Sequence, residues 1–381
     1  MPFAAAMSRH PVAAHAVGEV VGEVLERIGL GADLIVVFAT GPMTGALDDT
    51  VRAIRDLLLP RHIVGTTAYG VLAGSVGIEE SAAISIWAAR FVACDDVVAM
   101  HLTTSTISEL MYVTEADDER WAIVLADPFT FAVDELVERT ARERPNLRFI
   151  GGLASAAHGP GGNRIVVDHR ILTDGAAVAL LPRGVRPTTI VSQGCRPIGQ
   201  PFTVTRSERN IVYELAGRPA LDRLTEIVDG LDPADRKLAA AGLHCGIVID
   251  EHLTDFGRGD FLVRAVLGGD KNLRAIAIGD HVGVGTTVQF HVRDAGTAGG
   301  DLATLTSGVV GDGALLFTCT GRGAAMFGSS DHDVAIIDEA LTTSTAARPA
   351  VAGMFCAGEI GPVGSRNALH AFTASLVAFT D

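Results

Sequence analysis

Apolar and polar residues follow one another along this chain in a pattern that predicts a repeated unit of strand, helix, strand and strand. The first unit has an apolar run at 34–40, an amphipathic stretch at 48–59 and further apolar runs at 62–67 and 82–88. The second unit has the corresponding segments at 121–127, 133–144, 148–155 and 175–181. The units share an order of elements and not their identical residues.

Two more units are predicted further along the chain. The third is assigned to 244–250, 261–268, 275–281 and 286–294, and the fourth to 313–319, 333–341, 351–359 and 370–379. In every unit the second strand is expected to end on a residue without a Cβ, because such a residue turns or approaches its neighbours freely. These glycines are Gly65, Gly151, Gly279 and Gly358.

The order of elements predicts the fold class. A strand, helix, strand crossover places its two strands parallel in one sheet, and the final hairpin strand then pairs antiparallel. We therefore expect an α/β (α+β) protein with mixed sheets in two lobes, one ending near Gly184 and one starting near Thr188. The predicted domains are an N-terminal extension at 1–29, before a first strand at 34, an N-terminal domain at 30–185 and a C-terminal domain at 186–381. Segment 188–215 is expected to form two strands around a turn, followed by a helix at 219–228.

Composition limits the classes of partner. The chain has 381 residues, of which 48% are hydrophobic, which suits two domains. Its 45 acidic and 30 basic residues give a net charge of −15, so a nucleic acid is not an expected partner. No apolar run reaches the ~18 residues that span a bilayer, and the start lacks the pattern of a signal peptide. We expect a cytoplasmic protein that does not enter a membrane, and its oligomeric state stays open.

The five cysteines are Cys94, Cys195, Cys245, Cys319 and Cys356, without a CxxC pair. Such scatter favours reduced thiols over disulfides or a zinc site. His244, Asp250 and His252 match no metal signature, and the glycine-rich loops match neither a Walker loop nor a dinucleotide fingerprint. No cofactor, metal or catalytic residue is therefore predicted.

Ligands of open sheets bind beyond the carboxyl ends of parallel strands. Polar residues and glycines collect at that rim: Asp127, Gly151, Gly152, Ser155, Asp250, Thr318, Cys319, Arg322, Gly323, Gly358 and Glu359. Arg322 offers a planar fork for a carboxylate and Glu359 an acceptor for an ammonium, which together suit an amino-acid-like zwitterion. The structural alternative is an Arg322–Glu359 ion pair that joins two neighbouring strands. Supporting contacts are expected from Arg196, Arg293, Arg366, Asn367 and His370.

Seven stretches of the chain resemble the FIST family, a sensory module with N-terminal and C-terminal halves. They are HIVGTTAYGVL, RFIGGLAS, SQGCRPIGQPFTVT, FLVRAVLG, VQFHVRDA, ALLFTCTGRGAAMFG and MFCAGEIGPVGSRNALHAFTASL, which span most of the chain from about residue 30 onward. The last two are specific in combination.

The resemblance implies a role in intracellular signal transduction through binding of a small ligand such as an amino acid. Bacterial members of the family often carry kinase, cyclase or chemoreceptor output domains. No such domain is recognised here, so a separate signalling output protein is the expected partner. Two alternatives stay open: an enzyme that uses Cys319 or His370 on the same rim, and a protein-interaction scaffold.

Overall fold

The computed structural model describes residues 2–92, 96–115, 119–253, 255–257, 259–342, 348–364 and 366–380. Cys94 lies outside the described residues. The chain forms two compact units: the first comprises Met1–Val191 and Leu302–Asp381, and the second comprises Ser192–Asp301. The two boundaries between the units fall inside one strand and one helix.

The first compact unit contains three copies of one repeat, each with the order strand, helix, strand, helix and four strands. The first repeat has β1 (Phe3–Ser8), α1 (Ala13–Ile28), β2 (Leu34–Thr40), α2 (Leu47–Leu58), β3 (His62–Ala68), β4 (Gly70–Ala73), β5 (Val76–Glu79) and β6 (Ile84–Ala89). The second has β7 (Val98–Leu102), α3 (Ile107–Tyr112), β8 (Arg120–Ala126), α4 (Val133–Glu143), β9 (Leu147–Leu153), β10 (Ile165–Val167), β11 (Arg170–Leu172) and β12 (Ala176–Leu180).

The third repeat is interrupted by the second compact unit. It begins with β13 (Thr188–Gln193) and continues, after the interruption, with α7 (Ala295–Thr306) and β21 (Gly313–Cys319). It is completed by α8 (Ala324–Phe327), α9 (His332–Thr342), β22 (Ala350–Cys356), β23 (Glu359–Val363), β24 (Arg366–His370) and β25 (Thr373–Phe379). Apart from the extra short helix α8, its order matches the first two repeats.

In each repeat, the hairpin formed by the two strands after the second parallel strand pairs with the sheet of another repeat. The three six-stranded sheets have the orders β1-β6-β2-β3-β10-β11, β24-β23-β9-β8-β12-β7 and β13-β25-β21-β22-β4-β5. The first sheet thus ends in the hairpin of the second repeat, the second sheet in that of the third repeat, and the third sheet in that of the first repeat. This cyclic exchange joins the three repeats into one domain.

Sequence periodicity explains the two faces of these sheets. In α2, Leu47, Val51, Ile54 and Leu58 are buried at helical spacing, which gives the helix one apolar face for the sheet. The opposite faces of the three sheets meet in a shared core that contains Phe38, Leu125 and Phe317 from the three repeats. The Phe38 and Phe317 rings lie 6.1 Å apart in an edge-on contact.

A glycine in the second parallel strand of each repeat permits a close approach to the first. A Cβ on Gly65, Gly151 or Gly353 would lie 2.4, 1.9 or 1.9 Å from the carbonyl oxygen of Val37, Val124 or Leu316, respectively. Gly65 lies inside β3 and Gly151 inside β9, and their counterpart in the third repeat is Gly353, inside β22. The expectation that these strands end on Gly65, Gly151 and Gly358 is therefore wrong.

The second compact unit is an antiparallel barrel. It contains β14 (Cys195–Glu208), β15 (Ile211–Leu215), β16 (Arg218–Pro219), α5 (Ala220–Gly230), α6 (Pro233–Ala241), β17 (Leu243–Val248), β18 (Phe261–Asp270), β19 (Ala275–Ile278) and β20 (Thr287–Arg293). The strands pair in the order β14-β20-β17-β18-β19-β15, and β15 pairs again with β14. The last residue of this unit, Asp301, is hydrogen-bonded to its first two residues. The Asp301 Oδ2 accepts from Ser192 Oγ at 2.7 Å and from the Gln193 amide at 3.1 Å.

The α/β fold class with mixed sheets is confirmed, and three of the four predicted units are present. The third predicted unit is wrong, because β17, β18, β19 and β20 pair antiparallel as barrel strands. The first strand is β1 and not the run at 34, and the fourth predicted unit lies in the compact unit that holds the first two. The domain boundaries at 1–29, 30–185 and 186–381 stay predictions.

Candidate functional site

Arg322 lies at the carboxyl end of the third sheet, in a short turn (Thr320–Arg322) that directly follows β21. Its Nε donates to Asp333 Oδ2 at 2.7 Å and its Nη2 to Asp333 Oδ1 at 2.9 Å. Thr318 Oγ1 donates to Asp333 Oδ2 as well, at 2.6 Å. The ion partner of Arg322 is therefore Asp333 at the start of α9, and not Glu359, which the structural alternative in the sequence analysis had named.

The Asp333 carboxylate is ionised despite its burial. Burial alone raises the pKa of Asp333, but the charge of Arg322 and hydrogen bonds from His332, Arg322 and Thr318 outweigh it and lower this pKa to about 2. The pair with Arg322 is therefore charged at neutral pH.

Glu359 is the first residue of β23 and is fully buried. Its Oε2 accepts from the Thr373 amide at 3.0 Å and from Thr373 Oγ1 at 2.7 Å. Burial raises the pKa of Glu359 to about 8, although the Thr373 hydrogen bonds and the Arg322 charge oppose this rise. Most of the Glu359 carboxyl groups are therefore protonated at pH 7.

Two polar atoms of this cluster are buried without a hydrogen-bond partner. By hydrogen-bond geometry they are Arg322 Nη1 and Glu359 Oε1. The Cys319 thiol, a weak donor, lies close enough to the Glu359 carboxyl to oppose the rise in its pKa, but it makes no hydrogen bond of normal geometry with Oε1. A buried polar group without a partner costs about 1–3 kcal/mol, so each such group calls for an explanation. Together the two atoms offer one fixed N–H donor and one carboxyl oxygen to a third molecule.

A comparison of the three repeats shows that this cluster is specific to the third. Glu359 pairs with Gly152, whereas the corresponding hairpin positions in the other two sheets hold Val71 and Ile165. Arg322 follows Leu316, whose carbonyl oxygen lies against Gly353, in the third repeat. At the same distance along the chain from the corresponding Val37 and Val124 stand Met43 in the first repeat and Thr130 in the second. Of these equivalent backbone positions, those of the third repeat alone carry ionisable side chains.

The second repeat fills the corresponding place with a closed hydrogen-bond network. Asp127 Oδ1 accepts from Asn163 Nδ2 at 2.8 Å and Asp127 Oδ2 from Thr130 Oγ1 at 2.6 Å. Both carboxylate oxygens therefore have partners, in contrast to those of Glu359. Asp127, which the sequence analysis placed on the rim, is a structural residue.

The two cysteines beside Glu359 are buried and weakly acidic. Cys319 and Cys356 lie opposite one another in the parallel pair β21 and β22. Burial, together with the Glu359 charge, raises the pKa of Cys319 to about 12, and burial raises that of Cys356 well above its usual value. A thiol with so high a pKa has little thiolate at neutral pH and is a poor nucleophile.

The predicted glycines surround the same cluster. A Cβ on Gly152 would lie 2.3 Å from Cys356 Sγ, and one on Gly323 would lie 1.7 Å from Glu79 Oε1. Gly151 pairs with Ile360, and the Gly358 carbonyl accepts from the Leu153 amide at 2.8 Å. These glycines allow close contact between strands that belong to different repeats.

Of four other predicted residues in the first compact unit, three make hydrogen bonds within the fold. Asn367 Oδ1 accepts from the Phe149 amide and its Nδ2 donates to the Leu147 carbonyl, both at 2.8 Å, which extends the sheet beside β9. Ser155 Oγ accepts from the Tyr69 amide at 2.8 Å, and His370 Nε2 lies 3.2 Å from the Gly361 carbonyl oxygen. The fourth residue, Arg366, is exposed.

Arg196 and Arg293, and Asp250, lie in the second compact unit. Arg196 forms ion pairs with Asp235 and Asp294, and Arg293 lies on β20 next to His244, whose pKa its charge helps to lower. These contacts lie within the second compact unit, and a role of the three residues in ligand binding stays a prediction.

Sequence reasoning missed Asp333, which holds Arg322, and it counted Thr373 among the polar residues of the C-terminal cluster without pairing it with Glu359. The signal for Asp333 was its position at the start of a predicted helix, where an acidic residue interacts favourably with the helix dipole. Thr373 gave no such signal, since its contact with Glu359 depends on the turn between β24 and β25.

Three clefts lie away from Arg322 and Glu359. A cleft of 490 Å³ in the first compact unit is lined by Ser8, Glu19, Arg27 and Arg348 among others, and a second of 250 Å³ by residues such as Phe91 and Arg186. The barrel has an outer groove of 540 Å³ lined by residues that include Tyr213 and Leu267.

Among the residues the structure describes, no group of three metal-binding side chains forms a metal site, and no helix is long and apolar enough to cross a membrane.

The fold and this cluster define an α/β protein of three hairpin-exchanging repeats with an inserted barrel and a buried polar cluster around Arg322 and Glu359. Residues 33–218 match the model of the FIST N domain and residues 220–362 that of the FIST C domain. The chain therefore belongs to the FIST family, whose domains are associated with sensory signal transduction.

Its relatives include uncharacterized proteins of mycobacteria. One from Mycobacterium bovis is 39% identical over 381 residues, which cover 97% of both chains. Another, from Mycobacterium tuberculosis, is 37% identical over 392 aligned positions, which cover 100% of both chains.

Proposed function

We propose that this protein is a sensor that binds a small zwitterionic metabolite of the amino-acid type between Arg322 and Glu359. The observation that carries the proposal is the pair of buried atoms without partners, Arg322 Nη1 and Glu359 Oε1. A carboxylate that accepts from Nη1 and an ammonium that donates to Oε1 satisfy both atoms. The proposed contact residues also include Gly323, Gly358 and Cys319.

The protonation of Glu359 adds a thermodynamic signature to this proposal. Because its pKa is raised to about 8, the free protein holds a proton on Glu359 at pH 6. An ammonium group favours the ionised carboxylate, so its binding releases that proton. Affinity for the zwitterion then rises with pH up to about 8 and levels off above it.

Calorimetric titration of the protein with the common amino acids at pH 6 tests the proposal. Titrations in buffers of different ionisation enthalpy count the released protons, and we expect close to one proton per bound ligand. Glu359→Gln keeps an oxygen that accepts from Thr373 but carries no ionisable group, so it should remove both the proton release and most of the affinity. Arg142→Ala, a change at an exposed position of α4, is the control. Unchanged binding by Glu359→Gln would place the ligand elsewhere.

We further propose that a separate signalling protein reads the bound state and that both act in the cytoplasm. The family association with signal transduction supports the first point, and the scatter of the cysteines without a CxxC pair supports a reducing compartment. Affinity purification from native cells, with and without the ligand identified by calorimetry, tests the partner. Fractionation of the same cells tests the compartment.

A further inference from the structure

The segment Gly323–Asp331 forms a loop whose two ends are joined by the Arg322–Asp333 ion pair. Both members of that pair are buried, with 1% and 4% of their side chains exposed. The loop itself is more open, since Ala324, Gly328 and Ser329 are exposed. The buried Arg322–Asp333 ion pair forms the base of this exposed loop. We call the loop Gly323–Asp331 the flap.

The flap covers the guanidinium group of Arg322. The centre of the Phe327 ring lies 5.4 Å from Arg322 Cζ. Phe327 also stacks on His332, with ring centres 3.5 Å apart. A ligand that reaches Arg322 Nη1 from solvent on this side therefore has to displace Phe327.

Two contacts from the exchanged hairpin of the first repeat hold the flap. Glu79 Oε1 accepts from the Ala324 amide at 2.9 Å, and Asp331 Oδ1 accepts from the Gly77 amide at 2.7 Å. The Glu79 carboxylate fits against the bare Cα of Gly323, where a Cβ would lie 1.7 Å from its Oε1. The flap thus rests on a strand that its own repeat does not supply.

We infer that the flap opens as one piece about the Arg322–Asp333 base, and that Glu79 is the latch that keeps it closed. This inference rests on the proposed ligand site and concerns how that site is reached. The latch is a hydrogen bond from the Ala324 amide to the partly exposed Glu79 carboxylate, which solvent weakens, whereas the base is a buried two-point ion pair. Gly323 and Gly328 flank helix α8, and Gly328 has the left-handed backbone (φ 78°) that glycine adopts freely. Opening therefore breaks the latch before the base.

Hydrogen exchange at two amides tests the inference without any ligand. The Gly77 amide donates to Asp331, whereas the Glu79 carboxylate accepts from Ala324, so the Gly77 amide reports on the opening of the whole flap. In Glu79→Ala we expect exchange at both Ala324 and Gly77 to accelerate roughly tenfold. Gly323→Ala, which pushes the Glu79 carboxylate away, should accelerate both amides as well. Glu80→Ala, the neighbouring exposed acid, is the matched control and should leave both rates unchanged.

Acceleration at Ala324 alone would overturn the inference, because it would show a local contact instead of a flap that moves as one piece. Unchanged rates in both Glu79→Ala and Gly323→Ala would overturn it too. The melting temperature of each variant separates flap opening from general loss of structure. Since no ligand is added, these outcomes are independent of whether the calorimetric titrations find one.

Discussion

Arg322 and Asp333 form a two-point ion pair that lies almost wholly out of solvent and joins the end of β21 to the first turn of α9. A buried pair of this kind offsets its own desolvation only while both partners are present. The loss of one partner leaves the other charge buried, which makes the pair a sensitive point of the fold.

Arg322→Met should therefore destabilise the protein strongly. Methionine matches the length of the apolar side-chain stem and stands at the corresponding place in the first repeat, as Met43. The ionised Asp333 is then left without its cation, and we expect the free energy of unfolding to fall by about 3–5 kcal/mol. Urea denaturation at pH 7 measures the loss.

Two companion variants make this result interpretable. Arg366→Ala changes an exposed arginine and should alter stability by less than about 0.5 kcal/mol. Arg322→Met combined with Asp333→Leu removes both charges and should recover much of the loss. If Arg322→Met unfolds at the wild-type urea concentration, the pair does not stabilise the fold as its geometry indicates.

Gly353→Ala should be far more harmful than an alanine at a glycine on the surface. The new Cβ would lie 1.9 Å from the Leu316 carbonyl oxygen, so β21 and β22 would have to separate. Overpacking typically costs about 1–3 kcal/mol, and a contact with backbone lies at the upper end. Gly18→Ala in α1, where no atom lies within 4 Å of the new Cβ, should instead stabilise by about 0.5–1 kcal/mol. Thermal unfolding of the two variants compares them directly.

Much of the α/β repeat could be predicted, because apolar runs and helical spacing are local signals. The run at 313–319 became β21, and the helix expected at 333–341 became α9. The barrel strand β18 was missed because a half-buried strand and a buried helix have similar apolar content over a short stretch. The exchange of hairpins was also hidden, since pairing between distant segments leaves no periodic trace in sequence.

The candidate site was only partly predictable for the same reason. Arg322 and Glu359 follow apolar strands and stand beside glycines, which drew attention to them. Their real partners, Asp333 and Thr373, are fixed by the loop around α8 and the turn before β25. Only the structure shows that Val71 and Ile165 replace Glu359 in the other two sheets.

The cysteines should be reduced and slow to react in the folded protein. Cys195, Cys245, Cys319 and Cys356 are buried, and burial raises the pKa of Cys245 to about 12. We expect slow reaction with a thiol reagent in the folded state, fast reaction after denaturation, and no stoichiometric zinc or iron after dialysis. The variant Cys94→Ser removes the one thiol outside the described residues. Fast labelling of Cys319 in that variant, located by peptide mass spectrometry, would favour the enzymatic alternative.

The Glu359 carboxyl group should make the folded state less stable as pH rises. Its pKa is raised from 4.5 in the unfolded chain to about 8 in the folded protein, so between these values the folded state holds a proton that the unfolded state has lost. Stability contributed by this proton is complete below about pH 4.5 and declines through pH 8, by at most ~1.4 kcal/mol per pH unit. His244 and His291, whose pKa values are lowered to about 4, act in the opposite direction between pH 4 and 6.5.

The comparison that isolates Glu359 is therefore the difference in unfolding free energy between wild type and Glu359→Gln. This difference should shift in favour of Glu359→Gln as the pH is raised from 5 to 8. A difference that is constant over this range would mean that Glu359 is ionised in the folded protein and that a cation already satisfies it.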